Sequence, residues 1–496
     1  KDNPSSDATV EPYDPATASS KPSGTLMVDG NKNVMLKTNK DGEVVTIGKF
    51  VSFTSSEYQS TNYLADNTHY VEFYNEDKVN NAFDNDQQGY YRNIKNEYEY
   101  FDTPHTNVVL PWLANNPGKQ KIIKAREVKK KSTSASFESV LFVIPCESGY
   151  IQLETTKDAN GNYELNIPGL ADVASSTPIY AIARTSDETP YFDAGKMMQA
   201  NYAERTHKLI IVSLIGDLDA SYKTEAEKAL NSIYGRVGVS WTVELTKFDN
   251  DSIKNEILKD GLSIAADDES CWKSETKEMR AIRKLYSESN EIGDNTAYLF
   301  VVDHAQEDKF KDTEGDMPRS QSVGYIFKDK VSLNKFGRLV AHEIGHGVYK
   351  LQHTFDYDGL ADKKEQTDNL MDYNNGDFLA HYQWRVMQDS VMFVWGLFQD
   401  DEDGMAEIRV GSYCVILPNA KEKNQSGGGL NKKIDQEYKI DFEGSGIVIS
   451  ADALKDNKNL KEEELEVQII LNGKHVNTVL MPTDFITRRL EVYTNY

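Results

Sequence analysis

Residues 340–356 read VAHEIGHGVYKLQHTFD. His342 and His346 are four residues apart, so on a helix they stand one turn above each other on one face. That spacing lets both imidazoles reach a single cation. Glu343 is rotated by one residue and too close to share the axis as a third ligand, but it is placed to hold and deprotonate a water at the metal. His353 follows His346 by seven residues, which on an unbroken helix is a rise of about 10.5 Å. Ligands of one zinc ion all lie about 2 Å from it. His353 can therefore join the other two only if the helix stops around Tyr349–Leu351 and the chain turns back.

The neighbouring text supplies a frame for such a helix. HKLIIVSLIGD (207–217) is a continuous apolar run of buried-strand type, and SYKTEAEKALNSIYGRVG follows with Ala226, Leu230, Ile233, Tyr234 and Val237 on one helical face. VGVSWTVEL (237–245), NTAYLFVVDHA (295–305) and QSVGYIFKD (321–329) read as further strands, with a helix-rich insertion at about 250–290. The His-bearing helix is expected over 336–350 and a last helix over 377–398. Before this unit, residues 25–200 are strand-like and punctuated by turn pairs such as Asp29-Gly30 and Asn160-Gly161, which predicts antiparallel β structure. Residues 1–24, rich in Ser, Pro, Asp and Thr, read as a flexible leader, and 401–496 as a small β-rich domain. The expectation is an α+β chain with one catalytic unit over 201–400, flanked by β-rich regions, of which 25–200 reads as one or two β domains or as an inhibitory pro-region.

HEIGHGVYKLQH, with NLMDY beyond it, resembles the metzincin clan of zinc metallopeptidases, whose pattern is H-E-x-x-H-x-x-G-x-x-H followed by a methionine-containing turn under the metal. The segment also looks like metallopeptidase domains of large modular bacterial proteins. The resemblance implies a zincin-type fold with a twisted mixed sheet, His342, His346 and His353 as zinc ligands, Glu343 as general base and Met371 as the turn methionine. It further implies Tyr373 as an extra ligand or a donor to the developing oxyanion, and a short edge strand around Ser322–Phe327 that pairs with extended substrate. Two departures stand out. The third histidine is one residue late, and Tyr349 holds the place of the helix-ending glycine, while Gly347 sits earlier. Ending the helix then needs a non-glycine residue in the left-handed region, or a different turn.

Other residues compete for these roles. Glu365, nineteen positions after His346, is spaced like the glutamate ligand of thermolysin-like enzymes, although KKEQTDN is a poor helix. Asp356 and Asp358 lie within reach of the same loop. His381 reads as a residue of the last helix and His304 as a loop or core histidine; Met371 could be an ordinary core methionine and Tyr373 a packing tyrosine.

Composition limits the function classes. A net charge of −24 over 496 residues repels nucleic acid and anionic lipid. The basic stretch Lys119–Lys131 reads as a solvated strand or loop face, with a processing site as the lesser alternative. The longest apolar run, VMFVWGLF (391–398), is too short to span a bilayer. Cys146, Cys271 and Cys414 have no metal or redox spacing, and VIPCESGY does not match a zinc-blocking cysteine switch. There is no G-x-S-x-G and no phosphate-binding glycine loop. A chain opening KDNPSS without methionine reads as processed, and secretion from a bacterial cell is the expectation.

The reading that follows is a zinc-dependent endopeptidase acting on proteins or peptides. The alternative is a multi-domain surface or delivery protein whose peptidase-like module binds a protein partner with little turnover; a toxin or effector would share the chemistry of the first. Nothing in the sequence sets the oligomeric state.

Overall fold

The computed structural model describes residues 7–60, 69–76, 82–86, 88–94, 97–103, 106–129, 136–173, 175–264, 276–293, 295–306, 313–317, 322–357 and 359–389. Beyond these it describes only the backbone of six strands between 406 and 482.

The N-terminal region is built on two packed sheets, with a separate two-stranded antiparallel pair over Tyr100–Thr103 and Thr106–Val109. Ten strands run in the spatial order Val10–Pro12, Leu26–Val28, Asn33–Lys37, Val44–Val51, Gly149–Leu153, Ser139–Cys146, Ser176–Arg184, Phe192–Asn201, Trp112–Asn115 and Phe83–Asp84. Four more, Thr155–Lys157, Tyr163–Pro168, Gln120–Lys129 and His69–Tyr74, form the second sheet. Alternation drives the packing: in HYVEFY, His69, Val71 and Phe73 point inward and their neighbours outward. Phe73 meets Phe142 of the larger sheet edge to face at 5.7 Å. Both turn pairs sit in antiparallel connections. Asp29 accepts hydrogen bonds from the backbone N–H groups of Asn31 and Asn33, and Asp158 does the same for Asn160 and Asn162.

The segment expected as a flexible leader differs from that reading. Val10–Pro12 pairs in parallel with Leu26–Val28, and the Ala8 N–H donates to the Pro145 carbonyl. A sheet edge that would otherwise expose unpaired backbone groups captures it. The basic stretch lies on Gln120–Lys129, where Lys124 pairs with Glu76 and Asp158, and Arg126 with Glu72. Its far end, 130–131, lies outside the described residues, as do Cys271 and the side chain of Cys414. Cys146 is buried and free within the N-terminal sheet.

The second unit is built on a five-stranded sheet in the order Val239–Lys247, Arg205–Ser213, Thr296–Val302, Val323–Phe327, Gly315–Asp316. The first four are parallel and the last antiparallel. Both faces are covered, which explains the continuous apolar runs. Ala297, Leu299 and Val301 face α1 (Ala220–Tyr234) and α3 (Leu333–Gly347), while Tyr298, Phe300 and Val302 face α2 (Lys277–Ser289). The chain is thus sheet-rich α+β with few helices.

The strand expected as the edge is internal. Val323–Phe327 is buried throughout and carries Gly315–Asp316 on its outer side, so the latter two-residue strand is the rim. The last helix, α4, is described over His381–Asp389, and the remainder of the expected 377–398 span lies outside the described residues. Strands between 406 and 482 give the C-terminal part β character. Among the described residues no helix is long and apolar enough to cross a membrane.

Candidate metal centre

α3 carries His342, Glu343 and His346 on its inner turns and ends at Gly347. The helix is closed by a turn wider than usual. Leu351 N–H donates to the Gly345 carbonyl at 2.9 Å, and inside that loop Lys350 N–H donates to the His346 carbonyl at 3.0 Å. Each of these bonds spans one residue more than in the common glycine-ended cap. Lys350 itself takes the left-handed conformation, with φ 60°. The additional residue between His346 and His353 is absorbed here, and His353 stands three residues past the left-handed position. Tyr349 cannot take that role because its side chain is wholly buried, accepting from Trp241 Nε1 at 3.2 Å and packing on Tyr234.

With the chain turned back, the three imidazoles meet. His346 Nε2 lies 3.1 Å from His342 Nε2 and 3.0 Å from His353 Nε2. The three side chains form a group able to hold a metal ion, each offering one ring nitrogen. Their outer nitrogens fix the tautomers: His342 Nδ1–H donates to the Leu370 carbonyl and His346 Nδ1–H to the Leu351 carbonyl, each at 2.8 Å. Asp356 Oδ2 stands 3.5 Å from His353 Nδ1. Burial, then the neighbouring His353, pushes the His342 pKa down to about 3, so its imidazole is neutral. The His342 Nε2 lone pair therefore faces His346 Nε2 at 3.1 Å and is free to bind a cation between them. A tetrahedral ion with metal–nitrogen distances of about 2.0–2.1 Å would set its nitrogens about 3.3–3.4 Å apart. Small outward shifts of the rings accommodate it, so the donor set fits zinc.

Met371 is fully buried beneath the helix. A Cβ on Gly345 would lie 2.6 Å from the Met371 sulfur, so glycine at this position is what lets the thioether approach between the two histidine-bearing turns. The Thr354 N–H donates to the Met371 carbonyl at 3.2 Å, tying the loop after His353 to this turn. Arg338, one turn before His342, clamps the same segment by donating to the carbonyls of Leu370, Asp372 and Gly376. Inside the turn Asp372 is buried. Desolvation raises its pKa, but hydrogen bonds from the Thr367 hydroxyl and from the N–H groups of Thr367, Glu365 and Tyr373 outweigh it and hold the carboxyl below its ordinary range.

Glu343 is buried on the side facing the rim strand, where a Cβ on Gly315 would lie 2.6 Å from its Oε1. Tyr373 is half exposed, with its ring 4.9 Å from that of His353 and 6.2 Å from that of His342. Phe355 stacks on His353 at 4.8 Å, and the Lys364 ammonium lies over both Phe355 and Tyr373.

The other sequence candidates fall elsewhere. Glu365 and Asp356 are not in the metal-ligating group; Glu365 takes a positive φ and gives its N–H to Asp372. Asp358 lies outside the described residues. His304 is exposed beside Asp303. His381 is buried against Asp84 of the N-terminal region. Arg338, Asp372, Gly315 and Gly345 carry the site's framework without being singled out in the sequence; Arg338, Gly315 and Gly345 act on partners distant along the chain, and Asp372 bonds within its own turn.

No family model matches the chain, and no curated protein matches it. Among solved structures, it is similar to archaemetzincin (amzA) from Methanopyrus kandleri at 12% identity and a TM-score of 0.25, covering 37% of this chain and 94% of that one. It is also similar to metalloproteinase-II from Bacteroides fragilis at 13% identity and a TM-score of 0.24, covering 77% and 98%. At such scores neither superposition carries a fold or a function across. The metal centre stands on its own donors.

Proposed function

We propose that the protein is a zinc-dependent endopeptidase with His342, His346 and His353 as the metal ligands. The observation that carries this reading is the convergence of three imidazole nitrogens, two of whose rings are already bonded at the outer nitrogen to main-chain carbonyls, with a carboxylate 3.5 Å from that of the third. Zinc, when bound, would polarise the scissile carbonyl and bring the pKa of a coordinated water toward neutrality.

The chain's own groups do the rest. Glu343, buried between α3 and the rim strand, accepts the proton of the attacking water and returns it to the leaving amine. Gly315–Asp316 is the end strand of the sheet, with Glu343 directly behind it. Tyr373, half exposed beside His353, supplies a hydroxyl toward the developing oxyanion. Met371 supports the ligand-bearing helix from below.

The test is Glu343→Ala. The variant should retain zinc with near-parent affinity and lose nearly all cleavage of casein or a peptide library, and a chelator should abolish parental turnover. A variant cleaving as fast as the parent would remove Glu343 from the mechanism. A parent that forms a stable complex with a protein and never cleaves it would point to a binding module.

A further inference from the structure

The turn that holds Met371 is braced from outside its own unit. Residues 84–86, 88–94 and 97–98 of the N-terminal region lie along it and along the start of α4. Asp84, fully buried, accepts from the His381 N–H at 2.9 Å, from His381 Nδ1 at 2.8 Å and from the Tyr98 hydroxyl at 2.7 Å. On its other side the His381 ring reaches the Glu97 carbonyl through Nε2 at 2.7 Å, and it stacks flat on Trp112. Arg385, one turn on, donates to the Glu97 carboxylate at 3.0 Å. The Tyr91 hydroxyl donates to Asp368 Oδ1 at 2.7 Å, and Gln88 Oε1 accepts from the Asp368 N–H at 3.3 Å. A Cβ on Gly359 would overlap the Asn93 carbonyl, so the two chains touch main chain to main chain.

From these anchors a continuous set of bonds leads to a metal ligand. Gln383 of α4 pairs with Asn369 through both side-chain amides, at 2.7 and 3.1 Å. Asn369 Oδ1 accepts from the Met371 N–H, and the intervening Leu370 carbonyl receives the His342 Nδ1 proton. Beneath this path lies one shared core, in which Trp112, Met198 and Tyr202 of the N-terminal region pack with Leu209, Tyr234, Met371 and Trp384. Lys121, half-buried, crosses the same junction to donate to the Ala114 and Arg236 carbonyls.

We propose that the N-terminal region is a built-in buttress of the metal centre, with Asp84, Tyr91 and Glu97 as positioning residues that hold His342 through α4 and the Met371 turn. This rests on the zinc reading above. It assigns the region a role within the catalytic unit, in place of that of a removable inhibitory piece. The Leu370 carbonyl is the partner that orients His342, and these residues hold the turn that carries it.

The test measures zinc affinity of the full chain by competition with a chromophoric chelator, well below the melting temperature. Asp84→Asn and Tyr91→Phe should each weaken zinc binding several-fold, below the about tenfold that loss of a ligand's direct hydrogen-bond partner costs. Ile123→Ala, in an N-terminal core cluster that contains none of Asp84, Tyr91 and Tyr98, should lower the melting temperature yet leave zinc affinity at the parent value. If Tyr91→Phe, which removes a single hydroxyl, binds zinc as the parent does, the buttress is refuted even should Asp84→Asn fail to fold. If Ile123→Ala weakens zinc as much as the other two, the effect is general destabilisation and the proposal fails. A parent that binds zinc but cleaves nothing would overturn the peptidase reading and leave the buttress standing; a parent that does not bind zinc overturns both.

Discussion

Lys350 offers the sharpest perturbation, because a non-glycine residue at φ 60° is what allows His353 to reach its partners. A left-handed conformation costs an L-residue about 1–2 kcal/mol. Glycine avoids that cost but gives up about 0.5–1 kcal/mol through the greater freedom of its unfolded chain. Lys350→Gly and Lys350→Ala both remove the half-buried lysine stem, so their difference isolates the backbone term. The glycine variant should be the more stable by about 1 kcal/mol. In a domain of about 200 residues that is a shift in melting temperature of about 2–4 °C. The assay is paired thermal or urea unfolding of the two variants, each with and without zinc. Moving the glycine to the position where the resemblance expects it gives the opposite result. Tyr349→Gly empties a fully buried aromatic site and should cost about 3–5 kcal/mol. An alanine variant at 350 as stable as the glycine one, or a Tyr349→Gly protein more stable than the parent, would show that the helix does not end through Lys350.

Further outcomes follow from the site's packing. Gly315→Ala places a methyl 2.6 Å from Glu343 Oε1, so it should lower kcat by up to about 100-fold through misplacement of the carboxylate, with zinc content unchanged in metal analysis. Gly345→Ala pushes on the Met371 sulfur and should cost about 1–3 kcal/mol of stability in denaturant titration, less if combined with Met371→Ala. Asp372, whose folded pKa is held below its ordinary 3.8, contributes stability that is fully present above that value and is lost as pH falls through the lowered one. Asp372→Asn should flatten that acid limb in unfolding curves measured between about pH 5 and 2 and cost about 1–3 kcal/mol at neutral pH.

How legible the protein is from sequence depends on how far apart its interacting residues lie. The buried strands 207–217 and 295–305 were readable because apolar runs report burial on both faces of a sheet, and they lie where expected, over Arg205–Ser213 and Thr296–Val302. Ser, Pro and Asp content says nothing of a neighbouring strand edge, and such an edge recruits Val10–Pro12 from the segment expected as a leader. The edge strand was placed one strand too far in, because Gly315–Asp316 is two residues long and has no periodicity to detect.

The two-histidine helix and its glutamate were determined by sequence alone, since residues four apart on a helix share a face whatever surrounds them. The sequence also set the condition on His353: the helix had to break before it. Only the tertiary structure decided how. Tyr349 is claimed by the core of Trp241 and Tyr234, so the left-handed residue falls at Lys350 and the cap widens by one. That choice depends on packing between segments more than a hundred residues apart, and so does the bracing of the Met371 turn by Asp84 and Tyr91. Local pattern carries no record of either.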